Sequence, residues 1–261
     1  MYARGLLLPA YNSLDDKIKR LVLGTYYDHP YLFPRVARNE TYLISFPRSG
    51  NTWLRRLLTA LIHQKRGGWR LTESTVPDIH KYKAEKKRKP SIRPLIVKSH
   101  TPFVDIPAKV LYVVRDGRDA LLSYYYLQVK EGKIKSDISP YEIYFDKSVW
   151  PCQWHIHVAG WLDGLSTRSS ESYKIIYYED LKKSTPEQLF SLAEFIGLSV
   201  TPSDVERAIS LHPVEQYPLA TDGSTSKRKW QDILVGENLV KYEAIAGVEL
   251  QRLGYPLMSS Q

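Results

Sequence analysis

Apolar residues fall along this chain in two alternating rhythms. Short β-rich runs at 42–46, 95–98, 110–114 and 174–178 predict strands, since Val, Ile, Leu and Tyr cluster there. Amphipathic segments separate them. After the first run, Leu54, Leu57, Leu58 and Leu61 recur on one face of a helix expected over 53–62. The alternation predicts an α/β fold, with a central parallel sheet flanked by helices. No internal repeat or low-complexity linker interrupts the 261 residues. One domain is therefore expected over 1–261, with an N-terminal extension of about 1–38.

Polar punctuation sets further boundaries. Ser184 with Glu187 three residues later reads as a capping box, and Gly197 as the stop of that helix. Thr201 and Asp204 open another helix by the same logic, with Pro202 in its first turn. A last amphipathic segment over 237–253 ends at Gly254.

The richest chemistry lies between the first strand and the first helix, in Ser45, Phe46, Pro47, Arg48, Ser49, Gly50, Asn51, Thr52 and Trp53. A polar loop with a glycine at a helix start presents unpaired N–H groups and the positive end of the helix dipole, which suits a phosphate. The Ser49 and Thr52 hydroxyls are expected to assist. A triphosphatase loop has a lysine after its second glycine. Here that place is Asn51, and the cation sits earlier, at Arg48. The strand at 110–114 is followed by Arg115, where a metal-dependent enzyme would carry an acidic ligand. Magnesium-dependent hydrolysis is thereby disfavoured and no metal is expected. Arg115, with Ser123 on the following helix, suits a second phosphate through a bidentate fork and a hydroxyl donor.

Composition narrows the partners. Lys and Arg number 37 against 28 Asp and Glu, a formal +9, which favours anionic ligands. Seven basic residues fall within 81–93; a solvated loop and a rim that attracts anions are both open for this run. With only Tyr82 interleaved, a nucleic-acid groove is not expected. Cys152 is the single cysteine, and no apolar run reaches the length of a signal-peptide core or a membrane span. The expected location is cytoplasmic. Oligomeric state is not legible, and a homo-oligomer stays open.

These stretches together resemble the cytosolic-type sulfotransferases. The loop from Ser45 to Trp53 is similar to their 5′-phosphosulfate loop, and the segment from Lys109 through Arg115 to Ser123 to their 3′-phosphate motif. Lys98, Ser99 and His100 resemble their Lys-Thr-His motif; segments from Trp154 to Trp161 and from Tyr177 to Lys182 follow in the family's order. The resemblance runs from about residue 40 to the C-terminus. It implies a P-loop-like fold and transfer of a sulfuryl group from 3′-phosphoadenosine 5′-phosphosulfate (PAPS) to a hydroxyl or amine.

The resemblance also implies roles. His100 would act as general base, with Lys98 sharing the sulfonate charge from the same side of the strand if the strand extends that far. Arg48 would neutralise the leaving phosphate electrostatically, where many relatives carry lysine. Arg115 and Ser123 would hold the 3′-phosphate; a salt bridge of Arg115 with Asp116 or Asp119 is the alternative, and Arg118 either joins them or is simply solvated. Trp53 and Tyr178 would flank the adenine or serve the core. His155 and His157 read as helical, structural or acceptor-side residues. Near the C-terminus the family's Arg-Lys-Gly group is missing. Lys227, Arg228 and Lys229 before Trp230 either replace it or form a surface charge run.

Two other readings compete: a nucleotide-dependent kinase on a similar loop, and a basic polyanion-binding module. The acceptor is open, as a small molecule, a lipid or a carbohydrate. Tyr124, Tyr125, Tyr126, Tyr141, Tyr144 and Phe145 are candidates for an apolar acceptor pocket or for ordinary core.

Overall fold

The computed structural model describes residues 40–79, 94–135, 137–217 and 229–259. Four strands, β1 (Glu40–Ser45), β2 (Leu95–Ser99), β3 (Lys109–Val114) and β4 (Tyr173–Tyr177), form one parallel sheet in the order β2-β1-β3-β4. The helices are α1 (Asn51–His63), α2 (Trp69–Thr75), α3 (Gly117–Lys130), α4 (Trp154–Ser166), α5 (Tyr178–Lys183), α6 (Thr185–Phe195), α7 (Pro202–Leu211) and α8 (Gly236–Arg252). The expected α/β architecture with a parallel sheet is what the chain forms.

Strand alternation divides the interior into two layers. Tyr42, Ile44, Val110, Tyr112 and Val114 pack on one face with residues of α3, α4 and α8. Leu43, Leu111, Val113 and Ile176 pack on the other with α1, α6 and α7. Every residue of β1 is buried, as a central parallel strand covered on both faces requires. The leucine stripe of α1 supplies Leu54, Leu57 and Leu58, all fully buried in the second layer.

Local expectations meet mixed outcomes. Thr201 caps α7 in a full capping box with Asp204, with Pro202 in the first turn. Gly197 and Gly254 adopt left-handed backbone at +71° and +77°, just past α6 and α8. The capping box expected at Ser184 does not form, because that residue already closes α5: its N–H donates to the Asp180 carbonyl at 2.8 Å. The strand expected over 174–178 ends one residue early. Tyr178 begins α5, with Glu179 and Asp180 in the first turn complementing the helix dipole. The N-terminal extension, the basic run at 81–93, Lys227 and Arg228 lie outside the described residues.

Because all strands are parallel, the chain leaves each of them at the same edge of the sheet. Arg48, His100, Arg115 and Tyr178 all follow those four strand ends within a few residues. The sheet's order reverses at β1, with β2 on one side and β3 on the other. Such a switch point opens a crevice at the carboxyl ends of the strands.

Truncating Leu57 to Ala is expected to destabilise the fold by about 2–5 kcal/mol, because a fully buried leucine leaves both lost transfer energy and a cavity. Chemical denaturation of the variant beside the parent checks this.

Candidate active site

A cavity of about 740 Å³ sits over the carboxyl edge of the sheet. Its floor is the turn between β1 and α1. Gly50 takes a left-handed φ of +89° as N-cap of α1, and a Cβ there would collide with the Tyr178 ring. The missing side chain lets that ring close over the loop and exposes the first amides of a thirteen-residue helix. Arg48 is also left-handed, at φ +68°, a conformation that costs a non-glycine residue roughly 1–3 kcal/mol. In return its Nε donates to Ser123 Oγ at 3.0 Å, and its carbonyl accepts from Arg115 Nη1 at 3.0 Å.

Two guanidinium groups therefore share one wall. Arg115 is buried, with Cζ 4.7 Å from the centre of the Tyr178 ring and Nη2 3.8 Å from Asp119. Its Nε is buried without a hydrogen-bond partner among the described residues. Burial, and after it the charge of Arg115, pushes the Arg48 pKa down. Like charges in a low-dielectric wall repel, so the arrangement favours an anion between them. The salt bridge to Asp119 is too long to satisfy Arg115, and Asp116 pairs with Arg118 instead.

His100 stands just past the end of β2. Its Nδ1 lies 2.7 Å from the Ser45 carbonyl oxygen and 3.3 Å from Ser45 Oγ, while Asn51 Nδ2 donates to the same hydroxyl at 3.1 Å. A carbonyl only accepts, so Nδ1 carries a proton, and in the neutral ring the lone pair is then on Nε2. The ring lines the cavity and meets Trp150 edge-on, with centroids 5.7 Å apart.

The structure brings Arg48, Gly50, Asn51, Thr52, Trp53, His100, Arg115, Ser123 and Tyr178 to this one cavity. Trp53 is held by its indole N–H, which donates to the His212 carbonyl at 2.9 Å. It meets Tyr178 edge-on with centroids 6.4 Å apart, so both aromatics belong to the cavity wall as well as to the core.

Other expectations are corrected. Lys98 does not line the cavity: its Nζ pairs with Asp78 at 2.9 Å, both groups being buried. The segment at Asp78 runs alongside β2 as an isolated parallel bridge and supplies the counter-charge that a buried lysine needs. His100 lies beyond the strand, so strand alternation does not carry Lys98 to its side. Ser49 is fully buried, its hydroxyl without a partner among the described residues, and it is not part of the cavity wall. Lys229 is exposed and off the cavity, its N–H donating to Asp232. Arg118 is buried in ion pairs, not solvated.

Of the six aromatics considered for the acceptor, Tyr124 alone lines the cavity; Tyr144 is core, its hydroxyl donating to the Arg118 carbonyl. His157 is a structural residue on α4: it stacks on Tyr112, whose hydroxyl lies 3.0 Å from its Nδ1, and burial lowers its pKa to about 3. Residues that the sequence did not signal also line the cavity. Trp150 and Leu127 extend the wall beside Tyr124 and His100, while Gln216 and Tyr217 face it from beyond α7. Trp150 lies in a stretch of no regular period, so nothing in the pattern marks it.

The cavity thus lies at the carboxyl edge of a parallel α/β sheet, with two cations and a helix start in its wall. Residues 38–222 match the sulfotransferase domain family, and the chain belongs to it. The chain is 27% identical over 188 residues to sulfotransferase 2A6 of Mus musculus. It is 28% identical over 190 residues to a 3-alpha-hydroxysteroid sulfotransferase of Cavia porcellus, and 26% over 198 to a flavonol 3-sulfotransferase of Flaveria bidentis. These alignments each cover 66% of this chain and 64%, 63% and 61% of those relatives.

Among solved structures, the fold is similar to retinol dehydratase in complex with androsterone and inactive cofactor PAP. That likeness has a TM-score of 0.63 and 17% identity, covering 86% of this chain and 84% of that one. An Arabidopsis thaliana putative steroid sulphotransferase matches with a TM-score of 0.61 and 17% identity, covering 86% and 80%. No helix among the described residues is long and apolar enough to cross a membrane.

Gly50→Ala is expected to keep the fold and weaken binding of adenosine 3′,5′-bisphosphate by about tenfold or more, since the new Cβ meets the Tyr178 ring and a strained φ. Calorimetric titration beside circular dichroism measures both. His157 gives a separate expectation. Its folded pKa lies below the free value of 6.5, so the unfolded chain binds the proton first as pH falls. Stability from this group is complete above about pH 6.5 and falls by about 1.4 kcal/mol per unit towards pH 3. A His157→Gln variant, followed by denaturation across that window, is expected to lose part of the acid dependence.

Proposed function

We propose that the protein transfers a sulfuryl group from PAPS to the hydroxyl of a small apolar acceptor by in-line displacement, with His100 as general base. The observation that carries this reading is the bond from His100 Nδ1–H to the Ser45 carbonyl. It fixes a lone-pair nitrogen on a ring at the cavity, from the very residue that begins the anion-binding turn. Base and phosphate seat thus share one anchor.

The residues present fit the donor. The helix start at Gly50, the buried and unpartnered Arg115 Nε and the two adjacent guanidiniums all favour a ligand with anions at two places. The amides at Asn51 and Thr52 with Arg48 would hold the 5′ side. Arg115 and Ser123 would hold the 3′-phosphate, and Trp53 with Tyr178 would flank the base. When bound, the phosphosulfate supplies an activated sulfuryl group whose leaving side is a phosphate. Arg48, permanently protonated, stabilises negative charge there and does not donate a proton. His100 Nε2 accepts the proton of an acceptor hydroxyl placed within hydrogen-bond reach. The walls keep the two reactants aligned, which in such displacements accounts for much of the rate.

A sulfuryl group carries less negative charge than a phosphoryl group, and Asn51 and Arg115 stand where a kinase would need lysine and a metal ligand. Those two residues favour sulfuryl transfer without a metal over the kinase reading. Trp150, Tyr124 and Leu127 favour an apolar ring-type alcohol as acceptor, in keeping with relatives named for hydroxysteroids and a flavonol. A single sulfotransferase domain in the cytoplasm completes the reading.

The test incubates the protein with labelled PAPS or labelled ATP, in EDTA, against hydroxysteroids, flavonols and simple phenols. Sulfated product from PAPS alone supports the reading. Transfer from ATP, or none to any hydroxyl, overturns it. Within an active assay, His100→Ala is expected to lower kcat by about 10²- to 10⁴-fold at saturating donor, with donor KM changed little. Near-parental turnover in that variant would exclude His100 as the base.

A further inference from the structure

Arg118 occupies the second position of α3, between Arg115 and Ser123, yet it is 1% exposed and points away from the cavity. Its guanidinium forks onto the Asp116 carboxylate, with Nε to Oδ1 at 2.9 Å and Nη2 to Oδ2 at 2.8 Å. Nη1 donates to Glu243 Oε1 of α8 and to the Pro256 carbonyl, both at 3.0 Å. Cζ stacks over the Trp230 ring at 4.2 Å. One side chain thus joins the N-cap of α3, the last helix, the terminal segment and Trp230.

Around it the terminal segment is stitched down further. Glu243 accepts from the N–H groups of Met258 and Ser259. Tyr255 donates its hydroxyl to Glu179 at 2.9 Å, and the other oxygen of Glu179 faces the Asp116 N–H at 3.3 Å. Asp116 is therefore gripped from two directions. It is bonded to Arg115 and caps the helix that carries Ser123. Trp230, meanwhile, directly follows Lys229, where the basic stretch that includes Lys227 and Arg228 rejoins the described chain.

We propose that Arg118 is a positioning residue for the 3′-phosphate side of the donor site, acting by clamping Trp230 and the terminal segment to the start of α3. The proposal rests on the sulfotransferase reading above. Arg118 touches no ligand: it sets where Arg115 and Ser123 stand, and where the chain after the basic stretch is fixed. Its loss loosens the grip on a 3′-phosphate more than the grip on a nucleotide without one. Lysine does not substitute, since it has neither the fork for Asp116 nor the flat face for Trp230.

The experiment measures binding of adenosine 3′,5′-bisphosphate and of adenosine 5′-monophosphate to the full chain and to Arg118→Lys, with kcat and donor KM beside them. The expected result is a bisphosphate affinity weakened by about tenfold or more, since small misplacements of contact residues carry large costs, with monophosphate affinity less affected. Donor KM rises while kcat at saturation moves by less than about threefold. Trp230→Leu, which removes the stacking face and leaves the ion pairs, is expected to show the same selectivity in milder form. It decides the matter if Arg118→Lys does not fold.

Equal losses for both nucleotides, unchanged affinities, or a fall in kcat with unchanged KM overturn the proposal. Parental protein that binds the bisphosphate and sulfates an acceptor, beside an unaffected variant, sinks the clamp alone. Parental protein that binds no bisphosphate sinks the sulfotransferase reading and the clamp with it.

Discussion

The site depends on one constraint, that β1 is a central parallel strand buried on both faces. A strand so placed cannot shift without moving both core layers, and its carboxyl end therefore fixes a point in space. Ser45 is that end. From it the chain enters the turn that holds Arg48 and Gly50. To its carbonyl His100 donates from the neighbouring strand's end. Arg115, from the strand on the other side, donates to the carbonyl of Arg48 within that turn. Backbone acceptors at the end of this strand and in the turn after it thus register His100 and Arg115, while Arg48 is held by the Ser123 hydroxyl.

The same arrangement carries a cost. Arg48 sits in left-handed backbone, and two guanidiniums face one another with Arg115 Nε unpaired. Each of these is unfavourable on its own, and an anion in the cavity would offset the repulsion between the two cations. Strain and repulsion held by an over-determined fold are a way of preparing a binding site before the ligand arrives. The cost falls on Arg48 and Arg115, both in the wall of the cavity.

Much of this was legible in the sequence, and the parts that were not have physical reasons. The strands and α1 follow from apolar periodicity because burial on a sheet or helix face imposes a period. The turn within 45–53 was legible because a glycine at a helix start permits the left-handed backbone that the turn adopts. Lys98 misled because its partner, Asp78, lies twenty residues earlier in a segment whose pairing with β2 leaves no periodic trace. Ser184 misled because one residue was asked to end α5 and begin α6, and the first duty took its backbone. Arg118 was open between a phosphate contact and a solvated residue, because a sequence does not show where a charge is buried. Its burial depends on Glu243, Trp230 and Pro256, more than a hundred residues away.

That last residue points to how the molecule divides its labour. Arginines at 115 and 118 are three residues apart and chemically identical, yet the strand end turns one towards the cavity and the first turn of α3 turns the other into the core. The inward residue finds carboxylates at Asp116 and Glu243, which neutralise it. The other finds a carbonyl, an aromatic face and a carboxylate held at 3.8 Å, which leave its charge largely uncompensated. A buried cation with full partners stabilises a geometry, whereas one short of partners attracts a ligand. Role here is set by the partners: the turn after β1, Tyr178 of α5 and Asp119 of α3 for Arg115, and Asp116, Trp230, Glu243 of α8 and the Pro256 carbonyl for Arg118.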